Sequence, residues 1–184
     1  MTQDKESIVL FLNHYLSLAT ILGGVIVIIW LLALLYEWNT KKEIGFLDKI
    51  GKYSLSLGFF ITFGASFLTL LYSDYLGVLP CDLCWYQRIF LYPQVFLFAL
   101  AWYRRDTRIF GYTLLLSTVG FVIALYHHIM QLGYDVLRPC STSPFAIDCA
   151  KPTFIEYGFV TFPFMGVVLF VMLILLSLHN RKRG

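Results

Sequence analysis

Cys81 and Cys84 form a C-x-x-C pair at the mouth of a long apolar run, and Arg88 follows one helical turn after the second thiol. Thiols at that spacing close a disulfide, pass electrons by exchange, or supply half of a metal site. The only other cysteines, Cys140 and Cys149, stand in a polar stretch with eight residues between them. Structural zinc asks for four tetrahedral ligands, usually as two short pairs, so this wide second pair fits poorly and no metal is expected. Position favours the redox reading. At a helix N-terminus the macrodipole places about half a positive charge, which supports the thiolate of Cys84, the reactive form of the group. Arg88, four residues on, shares its helical face. Either the side chain snorkels to the headgroups, or its fixed charge and five donors hold an anionic or carbonyl-bearing partner beside the thiol.

The elements that must position these groups are membrane helices. Of 184 residues, 59% are hydrophobic and only 14% charged, against about 25% charged in soluble domains, and the mean hydropathy is +0.73. The net charge of +3 gives no footing for nucleic acid. Five apolar runs, at residues 8–36, 55–72, 85–102, 109–132 and 158–178, are long enough to cross a bilayer, with Tyr or Trp recurring at their ends. The first run is too long for a cleavable signal and reads as a retained anchor. This predicts an all-α integral membrane protein. Residues 1–48 would be the N-terminal transmembrane anchor and a cytoplasmic linker, and residues 49–184 would hold the other four spans.

Orientation follows from the Lys and Arg residues on alternate loops. Ten fall on one side, among them Lys41, Lys42, Arg104, Arg105 and Arg108; four, Lys5, Arg88, Arg138 and Lys151, fall on the other. The richer side is expected to be cytoplasmic, with the N-terminus outside and the C-terminus inside. Both cysteine pairs then face the exterior, where disulfides persist. His127, His128 and Gln131 are further polar residues near the outer end of the fourth run. On a helix the two histidines diverge by about 100°, so at most one faces a given site. An interfacial histidine and a haem ligand, with His14 as the other intramembrane candidate, are competing readings.

The string Cys81-Asp82-Leu83-Cys84-Trp85-Tyr86-Gln87-Arg88 followed by Tyr92-Pro93 resembles the signature of the DsbB/BdbC family of membrane thiol-quinone oxidoreductases. Leu125-Tyr126-His127-His128 with Gln131, the Pro139-Cys140 and Asp148-Cys149-Ala150 loop, and Gly158-Phe159-Val160-Thr161-Phe162-Pro163 extend the resemblance over about residues 50–184. It implies a four-helix bundle in the bacterial cytoplasmic membrane that reoxidises a soluble DsbA-like thioredoxin-fold partner and passes electrons to quinone, ubiquinone or menaquinone. Carried over by residue, Cys140 would take the partner's attack and Cys149 would exchange with Cys81. Cys84 would engage the quinone, Arg88 would bind a quinone oxygen, and His128 matches the family's histidine better than His127. The compact Cys-x8-Cys loop is similar to the BdbC-like branch, and the first span has no counterpart in the four-helix core.

Two other functions compete. A quinone reductase similar to vitamin K epoxide reductase would place its C-x-x-C late and the accessory pair early, the reverse of the order here. A non-catalytic membrane scaffold with two structural disulfides gives Arg88 no reason to sit beside Cys84. The aromatic segment Phe154, Ile155 and Tyr157 is expected to lie at the membrane surface and hold the cysteine loop near the third span.

Overall fold

Long runs of Leu, Ile, Val and Phe can satisfy their backbone in a bilayer only as helices or closed barrels, and the structure, a computed structural model, is helical. It describes residues 3–40, 45–134 and 147–181. The elements in order are α1 (Gln3–Thr40), α2 (Gly45–Lys52), α3 (Ser54–Leu70) continuing into a π-helical turn (Leu71–Tyr75), α4 (Asp82–Arg104), α5 (Ile109–Gln131) and α6 (Phe162–Arg181). Four helices are long and apolar enough to cross a membrane: α1, α3 with its π turn, α5 and α6. α4, with 23 residues, matches α5 in length but is diluted by polar side chains that point inward. Gln94 is fully buried, and its Oε1 accepts from Ser117 of α5 at 3.1 Å. Hydropathy averaged along a chain cannot see that such a group is satisfied by a neighbouring helix.

Helices α3, α4, α5 and α6 pack around one core that contains Leu91, Phe98, Phe110, Ala124, Phe170 and Leu173. Glycines allow the closest approaches. A Cβ on Gly58 of α3 would meet the Phe98 ring of α4 at 2.4 Å, and one on Gly120 of α5 would meet the Phe170 ring of α6 at 2.4 Å. Small residues admit such contacts between membrane helices, and polar pairs tie them further. Thr113 and Ser177 join α5 to α6 at 3.0 Å, and Thr69 and Tyr92 join α3 to α4 at 2.9 Å.

Three features were not expected from the sequence. α2 occupies part of the presumed linker, and its Leu47 is buried in the same core as Trp30 of α1. α1 packs along α6 while much of its remaining surface, including Leu22, Ile26 and Ile29, stays exposed. Its 38 residues rise about 57 Å, well beyond the roughly 30 Å of bilayer hydrocarbon. The last helix also starts later than residue 158. Glu156 and Val160 exchange backbone hydrogen bonds at 3.0 and 2.9 Å around Tyr157 and Gly158, both at positive φ. Thr161 then caps α6, accepting from the Phe164 N–H at 3.4 Å. Pro163 in the first helical turn has no N–H to satisfy.

Placing a methyl at the Gly120 contact should cost about 1–3 kcal/mol through overpacking. Thermal unfolding in detergent should therefore show Gly120→Ala below wild type, and Gly64→Ala, whose Cβ meets nothing within 4 Å, unchanged or higher. Equal melting of the two variants would contradict the packing described.

Candidate functional site

The chain leaves α3 through the π turn, in which Leu76 N–H reaches back five residues to the Leu71 carbonyl at 3.0 Å. Gly77, at φ 75°, then reverses it, and Pro80 leads into Cys81, the extended N-cap residue of α4. Pi turns of this kind shift the backbone register and recur at functional sites. Here the π turn presents Ser73 to α4. Arg88 Nη1 donates to Ser73 Oγ at 3.3 Å and Nη2 to the Thr69 carbonyl at 3.1 Å, while the guanidinium lies over the Trp85 ring at 5.1 Å. Arg88 is only 8% exposed, and all three of these partners are neutral. A guanidinium carries five N–H donors, so these two hydrogen bonds leave donors for a ligand.

Cys84, Gln87, Arg88 and Leu91 occupy positions i, i+3, i+4 and i+7 of α4 and line one wall of a cavity of about 320 Å³. The expectation that Arg88 shares the face of Cys84 is met in this stripe. Tyr72 and Thr69 line the cavity from α3, and Phe162, Pro163 and Gly166 from α6. Volume and lining suit a small-molecule slot with few directed polar groups.

Cys81 faces the other way. It is buried in a cluster with Leu83, Met130 and Cys149 and does not line the cavity. Its Sγ stands 3.3 Å from Cys84 Sγ and 3.7 Å from His127 Nε2. That nitrogen is 3.2 Å from the carbonyl oxygen of Cys149, so one imidazole bridges the C-x-x-C pair and the second cysteine loop. Gln87 sets the ring: its amide nitrogen stands 3.0 Å from His127 Nδ1, and the Gln131 amide nitrogen stands 3.2 Å from His127 Nε2. Gln131 donates to the Cys149 carbonyl at 3.4 Å. His128 points to a different neighbourhood, with Nδ1 3.1 Å from Thr161 Oγ1 and its ring against Phe164. Neither histidine lines the cavity, and neither does Gln131. Cys140 lies outside the described residues.

Cys81 and Cys84 are free, whereas Cys149 is disulfide-bonded. In the reduced C-x-x-C pair the negative charge settles on Cys81 rather than on Cys84, where the helix dipole alone would put it. The Cys84 thiol donating to Cys81 is the largest cause, and His127 adds to it. Together they outweigh burial and hold the Cys81 thiol well below its ordinary range. The sulfurs of Cys81 and Cys84 and a ring nitrogen of His127 all fall within 4.8 Å of one another, a set one ligand short of a four-coordinate structural zinc site.

A family model described as disulfide bond formation protein DsbB matches residues 52–180. The chain belongs to the DsbB family. Among its relatives is the SPbeta prophage-derived disulfide bond formation protein B of Bacillus subtilis, 36% identical over 62% of this chain and 76% of the relative. Disulfide bond formation protein C of the same organism is 32% identical over 58% of this chain and 77% of the relative. A probable disulfide formation protein C 1 of Bacillus anthracis is 34% identical over 64% and 87%. No solved structure matches the chain. DsbB membership makes this a multi-pass membrane protein with a disulfide-forming oxidoreductase role.

Several residues of the DsbB-like site escaped the sequence reading. Gln87 was detectable, since it is three residues after Cys84 on the same face. Thr69, Tyr72 and Ser73 carried no local signal, because the last turn of α3 and the π turn after it aim them only once the helices pack. Gly166 was equally silent: a Cβ there would meet Gln87 Oε1 at 2.7 Å, so the glycine makes room for the side chain that orients His127. Of the aromatic segment, Phe154 packs edge-on against Phe162 at the start of α6, with ring centroids 4.6 Å apart, while Ile155 and Tyr157 stay exposed.

With its thiol held well below the ordinary range, Cys81 keeps its thiolate at neutral pH and loses it only as pH falls into the acid range. Ultraviolet thiolate absorbance of the reduced protein should persist at pH 6, and the midpoint should move up in Cys84→Ala and, by less, in His127→Ala. A wild-type midpoint near the free-cysteine value of about 8.5 would contradict the charge arrangement.

Proposed function

We propose that this protein oxidises the dithiol of a DsbA-like thioredoxin-fold partner and passes the electrons through its two cysteine pairs to membrane quinone. The observation that carries this reading is the division of one C-x-x-C pair between two environments. Cys84 lines a cavity with Arg88, while Cys81 is buried beside Cys149 under a shared imidazole. A scaffold disulfide would need no such division.

The steps follow thiol-disulfide exchange, in which a thiolate attacks one sulfur and expels the other. The partner's thiolate attacks Cys140 of a Cys140–Cys149 disulfide, and Cys149 leaves as a thiolate. The partner's second thiol then displaces Cys140, so the partner leaves oxidised and the loop pair has gained two electrons. Cys149 attacks Cys81 of the Cys81–Cys84 disulfide and expels Cys84 toward Arg88, whose positive charge favours the departing anion. Cys140 closes again on Cys149, releasing Cys81, which His127 and the Cys84 thiol hold as the thiolate. Return of the Cys81 thiolate and the Cys84 thiol to their disulfide yields two electrons and one proton, and quinone takes these up with a second proton from water to become quinol. The cavity fits that acceptor: Arg88 keeps donors for a carbonyl oxygen, Gln87 offers an amide, and the remaining lining is mostly apolar. His127 orients and charges the thiols; His128 and Gln131 support the loop carrying Cys149.

The same reading adds α4 as the third of five spans across the bacterial cytoplasmic membrane, with the N-terminus outside, both cysteine loops extracytoplasmic, and residues 49–184 as the redox core. Its support is the skewed distribution of Lys and Arg. The described cysteines cluster at the end of the bundle opposite the turn bearing Arg104, Arg105 and Arg108.

Quinone reduction by the purified protein, supplied with a reduced thioredoxin-fold dithiol, tests the proposal. Cys84→Ser and Cys149→Ser should abolish turnover. Arg88→Ala should raise the apparent quinone KM by about ten- to a hundredfold, as loss of a charged hydrogen bond predicts, while dithiol exchange with the partner stays within about twofold. An inert wild type, or full turnover by Cys84→Ser, would sink the reading.

A further inference from the structure

α1 precedes the residues that the family model matches, yet it closes the cavity. Leu16, Ala19, Thr20 and Gly23 line it, at positions i, i+3, i+4 and i+7, a single stripe of one helix. The stripe is built from small or apolar groups. The Thr20 hydroxyl is turned back to the Leu16 carbonyl at 2.7 Å, and a Cβ on Gly23 would lie in ordinary van der Waals contact with a Val168 methyl, at 3.4 Å.

α1 is also fastened in place beside the site. Its buried Asn13 accepts from the hydroxyl of Tyr72, a cavity-lining residue of the π turn, at 2.9 Å. Lys5 donates to the Tyr75 carbonyl at 2.6 Å and lies over the Tyr75 ring. These ties engage the turn that also holds Arg88, so the position of α1 is coupled to the polar end of the cavity.

The cavity is elongated and polarised. Along α6 its lining runs from Phe162 to Met172, ten residues or about 15 Å of helix rise. Arg88, Gln87 and Cys84 stand at one end. Gly23, Val168 and Met172 stand at the other, where every lining group is apolar. We propose that α1 is the wall that holds the isoprenoid side chain of the quinone. The ring sits between Cys84 and Arg88, and the chain runs down the channel enclosed by α1, α3 and α6. Rather than a bare anchor, α1 is a determinant of which quinones the site accepts. This inference rests on the quinone reading above.

Two measurements on the full chain test it. First, a quinone with a photoreactive group on its isoprenoid chain is crosslinked to wild type and mapped by mass spectrometry, beside one with the group on the ring. The chain label should fall within residues 16–23 and the ring label within α4 near Cys84 and Arg88. Chain label confined to other helices, or labelling of residues 16–23 by a photoreactive phospholipid that quinone does not displace, would overturn the assignment. Second, Gly23→Phe should raise the KM for a long-chain quinone by about tenfold, one 1.4 kcal/mol step. It should change the KM for a quinone lacking the chain by less than about twofold. Gly24→Phe, one position around the helix and outside the lining, should leave both values unchanged. Equal effects of Gly23→Phe on both quinones, or none, would reject the wall role. Failure of wild type to take label from either quinone would instead reject the quinone reading itself.

Discussion

Burying the Arg88 guanidinium in a helical bundle leaves a full positive charge to be met from within. A buried ion with poor compensation costs several kcal/mol, and much of the cysteine end of this protein is arranged around that constraint. The π turn at the end of α3 brings a hydroxyl and a carbonyl to two of the guanidinium nitrogens, and Trp85 covers its face. These contacts are neutral, and they stop short of the five donors available. The remaining electrostatic demand points into the cavity, on the side where Cys84 stands.

From that constraint the roles of the two thiols diverge. One turn of helix separates Cys84 from Arg88, so Cys84 inherits the cavity. Cys81, as the N-cap residue, falls outside the helical stripe and packs under the loop carrying Cys149. His127 makes the divergence productive. Its ring is pinned by Gln87, itself a member of the Arg88 stripe. The polar groups of α4 thus reach both the cavity and the loop chemistry through one amide. Gly166 on α6 is part of the same device, since a larger residue would push Gln87 out of register.

Much of the helical frame could be read along the chain because apolar runs of membrane length have few alternatives. The predicted runs at 55–72, 85–102 and 109–132 each lie within an observed helix or its immediate continuation. The fifth run was misjudged at its start because Phe159 and Val160 read as apolar helix, whereas residues 156–160 close into a turn through two consecutive positive-φ residues. α4 illustrates the opposite failure. Its polar residues lower the average hydropathy, but Gln94 and Arg88 are satisfied by Ser117, Ser73 and Thr69 on other helices, which no sequence window contains.

The sequence by itself determined the chemistry: two thiols and a guanidinium at i, i+3 and i+7 from Cys81, a second pair in another loop, and a membrane to hold them. That information is local, because helical spacing fixes which side chains share a face. Tertiary structure decided the rest. It chose His127 over His128 as the neighbour of the thiols, placed the charge on Cys81, and recruited a π turn to serve Arg88. It also folded α1 back over the cavity. Those outcomes depend on groups 15 to 70 residues apart in sequence meeting at one end of the bundle, and only packing brings them together.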